Sequence, residues 1–269
     1  MHIVVAVKQV LDPEGINSYA LWGKLSVDES GRAFTVGDVI PRIINAYDEQ
    51  AMEAALRIRD SGVECKITAI SLGSDSNAEV LKRCLALGAD AAILVHDAEA
   101  GRQDGFRTAF VIAEAVRQLG DVDLVVCGRQ GSDFDQGVVP GVLAEYLDCG
   151  LATLASAVTK DGTVLRVTRV TSEGLEDVEV DMPAVVSVSN ELGLARFPTS
   201  RGMLEARRKH PTVLDAAALL SKGPANGVEL VRITVPDVQG HCEIIAGDST
   251  ASTVTKLFQE LDKAGVLRG

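Results

Sequence analysis

Short apolar runs and amphipathic stretches alternate along the first half of the chain. Ile3–Val7 is a continuous run rich in β-branched residues, the pattern of a strand buried on both faces of a parallel sheet. The next forty or so residues hold Gly15, Gly23, Gly31 and Gly37 among scattered polar positions, and read as a long excursion with a hairpin around Asp28–Gly31. From Asp48 to Arg59, Met52, Ala55, Leu56 and Ile58 recur at helical spacing until Ser61-Gly62 ends the helix. The alternation then repeats: strand Lys66–Leu72, helix Asn77–Leu87 stopped by Gly88, strand Ala91–Val95, helix Phe106–Leu119 stopped by Gly120, strand Leu124–Cys127, and a helix from about Gly137 to Leu147. Successive strand-then-helix units predict an α/β fold, a mostly parallel, doubly wound, Rossmann-like sheet with helices on both faces.

The texture then changes. Thr163–Val170 and Leu175–Val180 flank Thr171-Ser172-Glu173-Gly174 and predict an antiparallel hairpin, and Ala184–Val188 is a further strand after Pro183. Beyond Ser189 the alternation fades. Residues 1–189 therefore read as the α/β domain and 190–269 as an extended C-terminal arm. The arm ends in a helix, Thr250–Ala264, with Val254, Leu257, Phe258 and Leu261 on one face.

Composition narrows the functional classes. The chain has 269 residues, enough to bury a large core, and acidic residues outnumber basic ones by 38 to 26, for a net charge of −12. That balance argues against a general grip on nucleic acid or anionic lipid. Cys65, Cys84, Cys127, Cys149 and Cys242 are widely spaced, with no C-x-x-C pair, which suggests a reducing compartment and neither a zinc site nor a disulfide framework. The N-terminus MHIVVAVKQV lacks a signal-peptide pattern, and no run approaches the ~18 apolar residues of a membrane span. The expectation is a soluble cytoplasmic protein with no membrane insertion.

In an open parallel sheet ligands bind beyond the carboxyl ends of the strands. Four segments qualify: Val7-Lys8-Gln9, Ser71-Leu72-Gly73-Ser74, His96-Asp97, and Gly128-Arg129-Gln130-Gly131-Ser132-Asp133. In the last, glycines at 128, 131 and 137 let backbone amides approach a ligand, and the helix that follows offers its positive end to an anion. This is either a phosphate cradle or a plain strand-to-helix turn. P-loop, G-x-G-x-x-G, G-x-S-x-G and H-E-x-x-H patterns are missing. His96 at a strand end is either a ligand contact or a surface histidine, and Asp133 and Asp135 read as turn and N-cap residues rather than a metal pair. Arg207-Arg208-Lys209-His210 is either a solvated face or a docking surface for an acidic partner. With six Phe, three Tyr and one Trp, little aromatic surface is available to sandwich a flavin ring, so flavin chemistry would need surface from another chain.

Several segments carry a family resemblance. They are Ile3–Val10, Ile44-Asn45-Ala46-Tyr47-Asp48-Glu49-Gln50-Ala51, Ala86-Leu87-Gly88-Ala89-Asp90, Gly128-Arg129-Gln130, and Arg166–Val188 with Met182-Pro183-Ala184-Val185-Val186-Ser187. In these the chain resembles the β (small) subunit of the electron-transfer flavoproteins along essentially its whole length. The resemblance implies a heterodimer with a larger α subunit that holds the redox-active FAD. The β chain adds one wall and a second nucleotide: AMP in ordinary members, a second FAD that exchanges electrons with NADH in electron-bifurcating ones. It implies that Ala6, Val7, Lys8, Asn45, Asp48, Ser71, Leu72, Gly73 and Cys127 hold this nucleotide. With them act Gly128, Arg129, Gln130, Gly131, Asp133, Asp135, Gln136, Gly137, Val138 and Val139 of the loop. It implies no catalytic side chain and no metal in this chain, because the cofactor carries the chemistry.

The chain also departs from the family pattern. Ala46 stands where proline is usual, Gln136 comes two positions early, and Pro140 falls where glycine is expected, a residue that fits the first turn of a helix. Arg196–Leu204 resembles the recognition loop that presents a leucine to an acyl-CoA dehydrogenase, so Ser200, Arg201, Gly202 and Met203 are the implied contacts to a dehydrogenase or other redox partner. Ser200 occupies the leucine position, and a hydroxyl cannot fill an apolar pocket as leucine does. Arg201-Gly202 and the loop His96-Asp97-Ala98-Glu99-Ala100-Gly101 are more similar to the bifurcating branch, which points to FAD. Two other readings remain: a stand-alone adenine-nucleotide sensor of universal-stress type, and a hydrolase or ATP pyrophosphatase, disfavoured because no Ser-Gly-Gly follows the first strand.

Overall fold

A sheet of nine strands organises the chain: β1 His2–Ala6, β2 Lys66–Gly73, β3 Ala91–His96, β4 Leu124–Gly128, β5 Gly150–Asp161, β6 Val164–Thr171, β7 Gly174–Asp181, β8 Ala184–Val188 and β9 Thr212–Asp215. Their order in space is β7-β6-β5-β8-β4-β1-β2-β3-β9. From β5 through β9 every neighbouring pair is parallel, while β6 pairs antiparallel with both β5 and β7. The computed structural model describes residues 1–17, 26–32, 34, 35, 40–98, 100, 104–235 and 242–267; Gly23, Gly37, Glu99, Gly101 and His241 lie outside the described residues.

The apolar runs do what their composition dictates. Along β1, Ile3 and Val5 join one core while Val4 and Ala6 join the other, and in β4 Leu124 and Val126 part from Val125 and Cys127 in the same way. Helices α1 (Ala46–Asp60) and α2 (Ala78–Leu87) cover the first face; α3 (Gly105–Leu119) and α4 (Val139–Leu147) cover the second. The predicted hairpin forms between β6 and β7, closed by Ser172-Glu173, and the one expected around Asp28–Gly31 is the short pair Ser26–Val27 with Phe34–Thr35. Helix α4 begins at Val139 rather than Gly137, because Asp135 and Gly137 take φ of +50° and +64° and the chain cannot be helical through them.

By its contacts the chain divides into two compact units, Met1–Ile233 and Thr234–Gly269. The first therefore extends beyond the boundary at Ser189 that the sequence suggests. Two elements with no sequence signal explain the difference: α5 (Ser200–Arg208) and the edge strand β9, which pairs with β3. In α5 only Ala206 is buried, and the helix is nine residues long, too short for its few apolar positions to repeat. Thr199 caps the helix by accepting from the amide of Gly202, and α5 packs on α2. A Cβ added at Gly202 would sit 2.3 Å from the carbonyl oxygen of Ala86. Gly202→Ala is expected to push α5 off α2 at a cost of about 1–3 kcal/mol, read as a lower urea midpoint; an unchanged midpoint would show that the contact yields freely.

In the second unit, helix α6 (Thr250–Lys263) matches the predicted span. Ser249 caps it by accepting from the amide of Ser252, and none of its residues is buried: Val254, Leu257 and Phe258 are exposed. Among the described residues, no helix is long and apolar enough to cross a membrane.

Candidate functional site

The strand order creates a switch point. From β1 the chain proceeds to β2 and β3 on one side, then returns to place β4 on the other, so crossovers leave β1 and β4 in opposite directions. The crevice at the carboxyl ends of these two strands is where such sheets bind ligands. Lys8 emerges there after β1, and Gly128–Val138 after β4.

Two side chains from the start of α1 fasten these segments. Asp48 is buried and accepts from the amide of Lys8 through Oδ2 at 2.7 Å and from the amide of Gly128 through Oδ1 at 3.1 Å. Asn45, fully buried, donates from Nδ2 to the carbonyl of Gln130 at 2.8 Å and accepts the Ser132 amide on Oδ1 at 3.1 Å. Its own amide donates to the carbonyl of Lys8 at 2.9 Å. Burial pushes the Asp48 carboxyl up to about 7, against the opposing pull of the Lys8 and Gly128 amides and the Asn45 side chain. Gly128 is needed for this approach: an added Cβ would lie 2.2 Å from Asp48 Oδ1.

Beyond this staple the loop opens to solvent, with Asp133–Val138 exposed. Asp133 and Asp135 face different partners. Asp133 pairs with Lys8 Nζ at 2.7 Å, while Asp135 accepts from Gln130 Nε2 at 2.8 Å. Lys8 Nζ also lies 5.2 Å from the centre of the exposed Phe134 ring, and Arg129 sits 5.4 Å over Tyr47. Pro140 takes the first turn of α4, leaving that helix's N-terminus facing the same crevice. On the far side of β1, Ser71 is buried and accepts on Oγ from Asn77 Nδ2 at 2.9 Å, and Gly73 lies against the Asn77 side chain. Cys127 is buried, which pushes its thiol up and keeps it protonated.

The structure thus brings Ala6, Val7, Lys8, Asn45, Asp48 and Cys127–Val139 to one crevice, with Ser71, Leu72 and Gly73 at the next strand end. His96 lies one strand further, with Nε2 3.4 Å from Asp75 Oδ1. Ser200, Arg201, Gly202 and Met203 form the first turn of α5, away from these strand ends; Gly202 faces α2 while Arg201 and Met203 are exposed. Sequence reasoning did not single out Asn77, Tyr47 or Asn190. Asn190 follows the end of β8, and the rule that ligands gather beyond strand ends, applied to that strand too, would have found it.

A profile of the family described as electron transfer flavoprotein domain matches residues 34–219. The electron transfer flavoprotein subunit beta of Megasphaera elsdenii is 33% identical over 225 residues, covering 81% of this chain and 80% of that protein. The chain belongs to the electron transfer flavoprotein β-subunit family. The subunit beta of Thermoanaerobacterium thermosaccharolyticum is 30% identical over 99% of this chain and all of its own length. A further family member, the Acetobacterium woodii protein named caffeyl-CoA reductase-Etf complex subunit CarD, is 26% identical over 99% of this chain and all of its own length. The matched span includes the loop at the switch point and the buried Asn45 and Asp48 that fasten it.

Proposed function

We propose that this chain is the β subunit of a heterodimeric electron-transfer flavoprotein, binding an adenine nucleotide at the Gly128–Val138 loop and helping to pass electrons, through FAD, between a dehydrogenase or NADH and an acceptor. The observation that carries the reading is the loop itself. It is exposed on its outer side, pinned on its inner side by Asn45 and Asp48, and placed at the switch point.

The residues fit the phosphate of a nucleotide. The N-terminus of α4 and the Lys8 ammonium both favour an anion. An entering phosphate competes with Asp133 for Lys8, so Asp133 acts as a stand-in anion at the mouth. FAD, when bound, supplies the redox chemistry, and the side chains here orient it rather than react. With Phe134 as the exposed aromatic of the loop, the wall against a flavin ring would come from the α subunit. The resemblance of Arg201-Gly202 to the bifurcating branch favours a second FAD over AMP. Ser200, Arg201 and Met203 would meet the redox partner, and the exposed apolar face of α6 would pack on the α subunit. The net charge of −12 is in keeping with a carrier that binds no nucleic acid.

The test is to co-purify the chain with its adjacent-gene α partner, denature the complex and quantify released FAD and AMP by chromatography. Two FAD and no AMP per heterodimer support the bifurcating form. One of each makes AMP the ligand of this chain. A chain that finds no partner and brings no flavin overturns the proposal in favour of a stand-alone sensor.

A further inference from the structure

Helix α1 holds two loops at once. Its first turn fastens the Gly128–Val138 loop through Asn45 and Asp48. Further along, Gln50, Glu53 and Arg57 stand at i, i+3 and i+7, one face of the helix, and all three grip the segment that follows β8. Gln50 Nε2 donates to the carbonyls of Gly193 at 3.1 Å and Asn190 at 3.5 Å, and Arg57 Nη1 donates to the carbonyl of Leu192 at 2.8 Å. Glu53 accepts from Arg196 three times: from Nε at 2.7 Å, Nη2 at 3.2 Å and the backbone amide at 3.2 Å. Arg196 also reaches Asp60 at 2.7 Å. Burial works against charge on Glu53, but the hydrogen bonds from Arg196 and Arg57 outweigh it and hold the carboxyl below its usual range.

The two loops also touch directly. The amide of Arg129 donates to the carbonyl of Val188 at 3.0 Å, and its guanidinium reaches Asn190 Oδ1 at 3.5 Å. The segment so held presents two large apolar side chains to water, Leu194 at 91% exposure and Phe197 at 85%.

We propose that α1 couples the nucleotide site to the segment 190–197, so that a nucleotide bound at Gly128–Val138 tightens the loop carrying Leu194 and Phe197. The proposal rests on the nucleotide reading given above. The helix is fifteen residues long, about 22 Å, and rigid on that scale, and its contacts at both loops are directional hydrogen bonds. A ligand that fixes the first turn of α1 and Arg129 therefore restrains the partners of Gln50, Glu53 and Arg57. Coupling of this kind is reciprocal: loosening the 190–197 segment must weaken the nucleotide by the same factor. Glu53 acts as a positioning residue, through Arg196, without touching the nucleotide loop.

The experiment uses the heterodimer with its α partner, freed of bound nucleotide, with AMP and FAD added separately as probes. Amide hydrogen exchange is followed in 128–138 and 190–197, and the affinity of whichever nucleotide binds is measured by calorimetry. In the wild type, either nucleotide that binds is expected to slow exchange in both segments, by about fivefold or more in 190–197. Arg196→Gln leaves Glu53 paired with Arg57, so no buried charge is orphaned, and it is expected to weaken the nucleotide that binds about fivefold, with Arg196→Lys recovering part of the loss. Protection of 128–138 without any change in 190–197, or an affinity for that nucleotide unaltered in Arg196→Gln, overturns the coupling alone. Failure of both nucleotides to protect 128–138 overturns the nucleotide reading and the coupling with it.

Discussion

Gly128→Ala is expected to destabilise the chain by about 3 kcal/mol and to weaken any ligand of the loop after β4. The added Cβ would sit 2.2 Å from Asp48 Oδ1, 2.7 Å from Tyr47 Cβ and 2.8 Å from the Tyr47 carbonyl carbon. None of these can retreat cheaply. Asp48 is held by the amide of Lys8, and Tyr47 belongs to the first turn of α1, whose buried residues Ala51, Met52, Ala55 and Ile58 anchor the helix to the sheet. The strain is one of packing rather than of backbone conformation, so relief requires α1 to move away from β4, opening both core and crevice. At roughly 2–4 °C per kcal/mol for a chain of this size, thermal unfolding should shift downward by roughly 6–12 °C, with a matching drop in the urea midpoint. A melting temperature equal to the wild type would show that α1 is not tightly seated on Gly128, and the account of the staple would fail.

The second large effect concerns pH. The Asp48 carboxyl titrates near 7 in the folded chain, against 3.8 for the group in the open, because burial penalises its charge more than the surrounding hydrogen bonds favour it. Between those values the folded chain keeps a proton that the unfolded chain has released. Stability from this group is therefore complete below about pH 4 and is lost as pH rises through 7, a change of roughly 3–5 kcal/mol. Asp48→Asn removes the titration. It also sets an amide nitrogen against one of two donors, the Lys8 and Gly128 amides, so the variant is expected to be less stable than the wild type at pH 5. Its disadvantage should shrink, or reverse, at pH 8. Urea denaturation of both proteins at pH 5 and pH 8 measures this directly. A stability difference that stays constant between the two pH values would mean that the carboxyl ionises in its ordinary range and that the crevice is wetter than the hydrogen-bonded geometry implies.

Much of the architecture was legible because it is written locally. Ile3–Val7 and Leu124–Cys127 are apolar at every position, and that composition is stable only where both faces of a strand are covered. β5 escaped for the opposite reason. Its buried positions are Ala152, Ala155 and Val158, Leu154 takes φ of +59°, and the register against β8 and β6 shifts, so no period of two survives. β9 is four residues long at the sheet edge with Val213 exposed, and such a strand owes its existence to β3 beside it rather than to its own side chains.

The candidate site divides along the same line. The glycine-spaced loop after β4 and the polar residues after β1 were readable, since both features follow from strand ends and turn chemistry within a few residues. That Asp48 would reach Gly128, that Asn45 would bond Gln130 and Ser132, and that Arg129 would meet Asn190 were not. The sequence by itself determined an α/β chain of parallel strands, its glycine-rich loop and its family, because periodicity, turn residues and motif identity are properties of short stretches. Only the tertiary structure decided that β4 lies between β1 and β8, and hence that α1 grips both the loop at 128–138 and the segment at 190–197. Those contacts join residues dozens to more than a hundred positions apart, and they exist because the two sheet faces must each be buried by whichever helices the strand order brings over them.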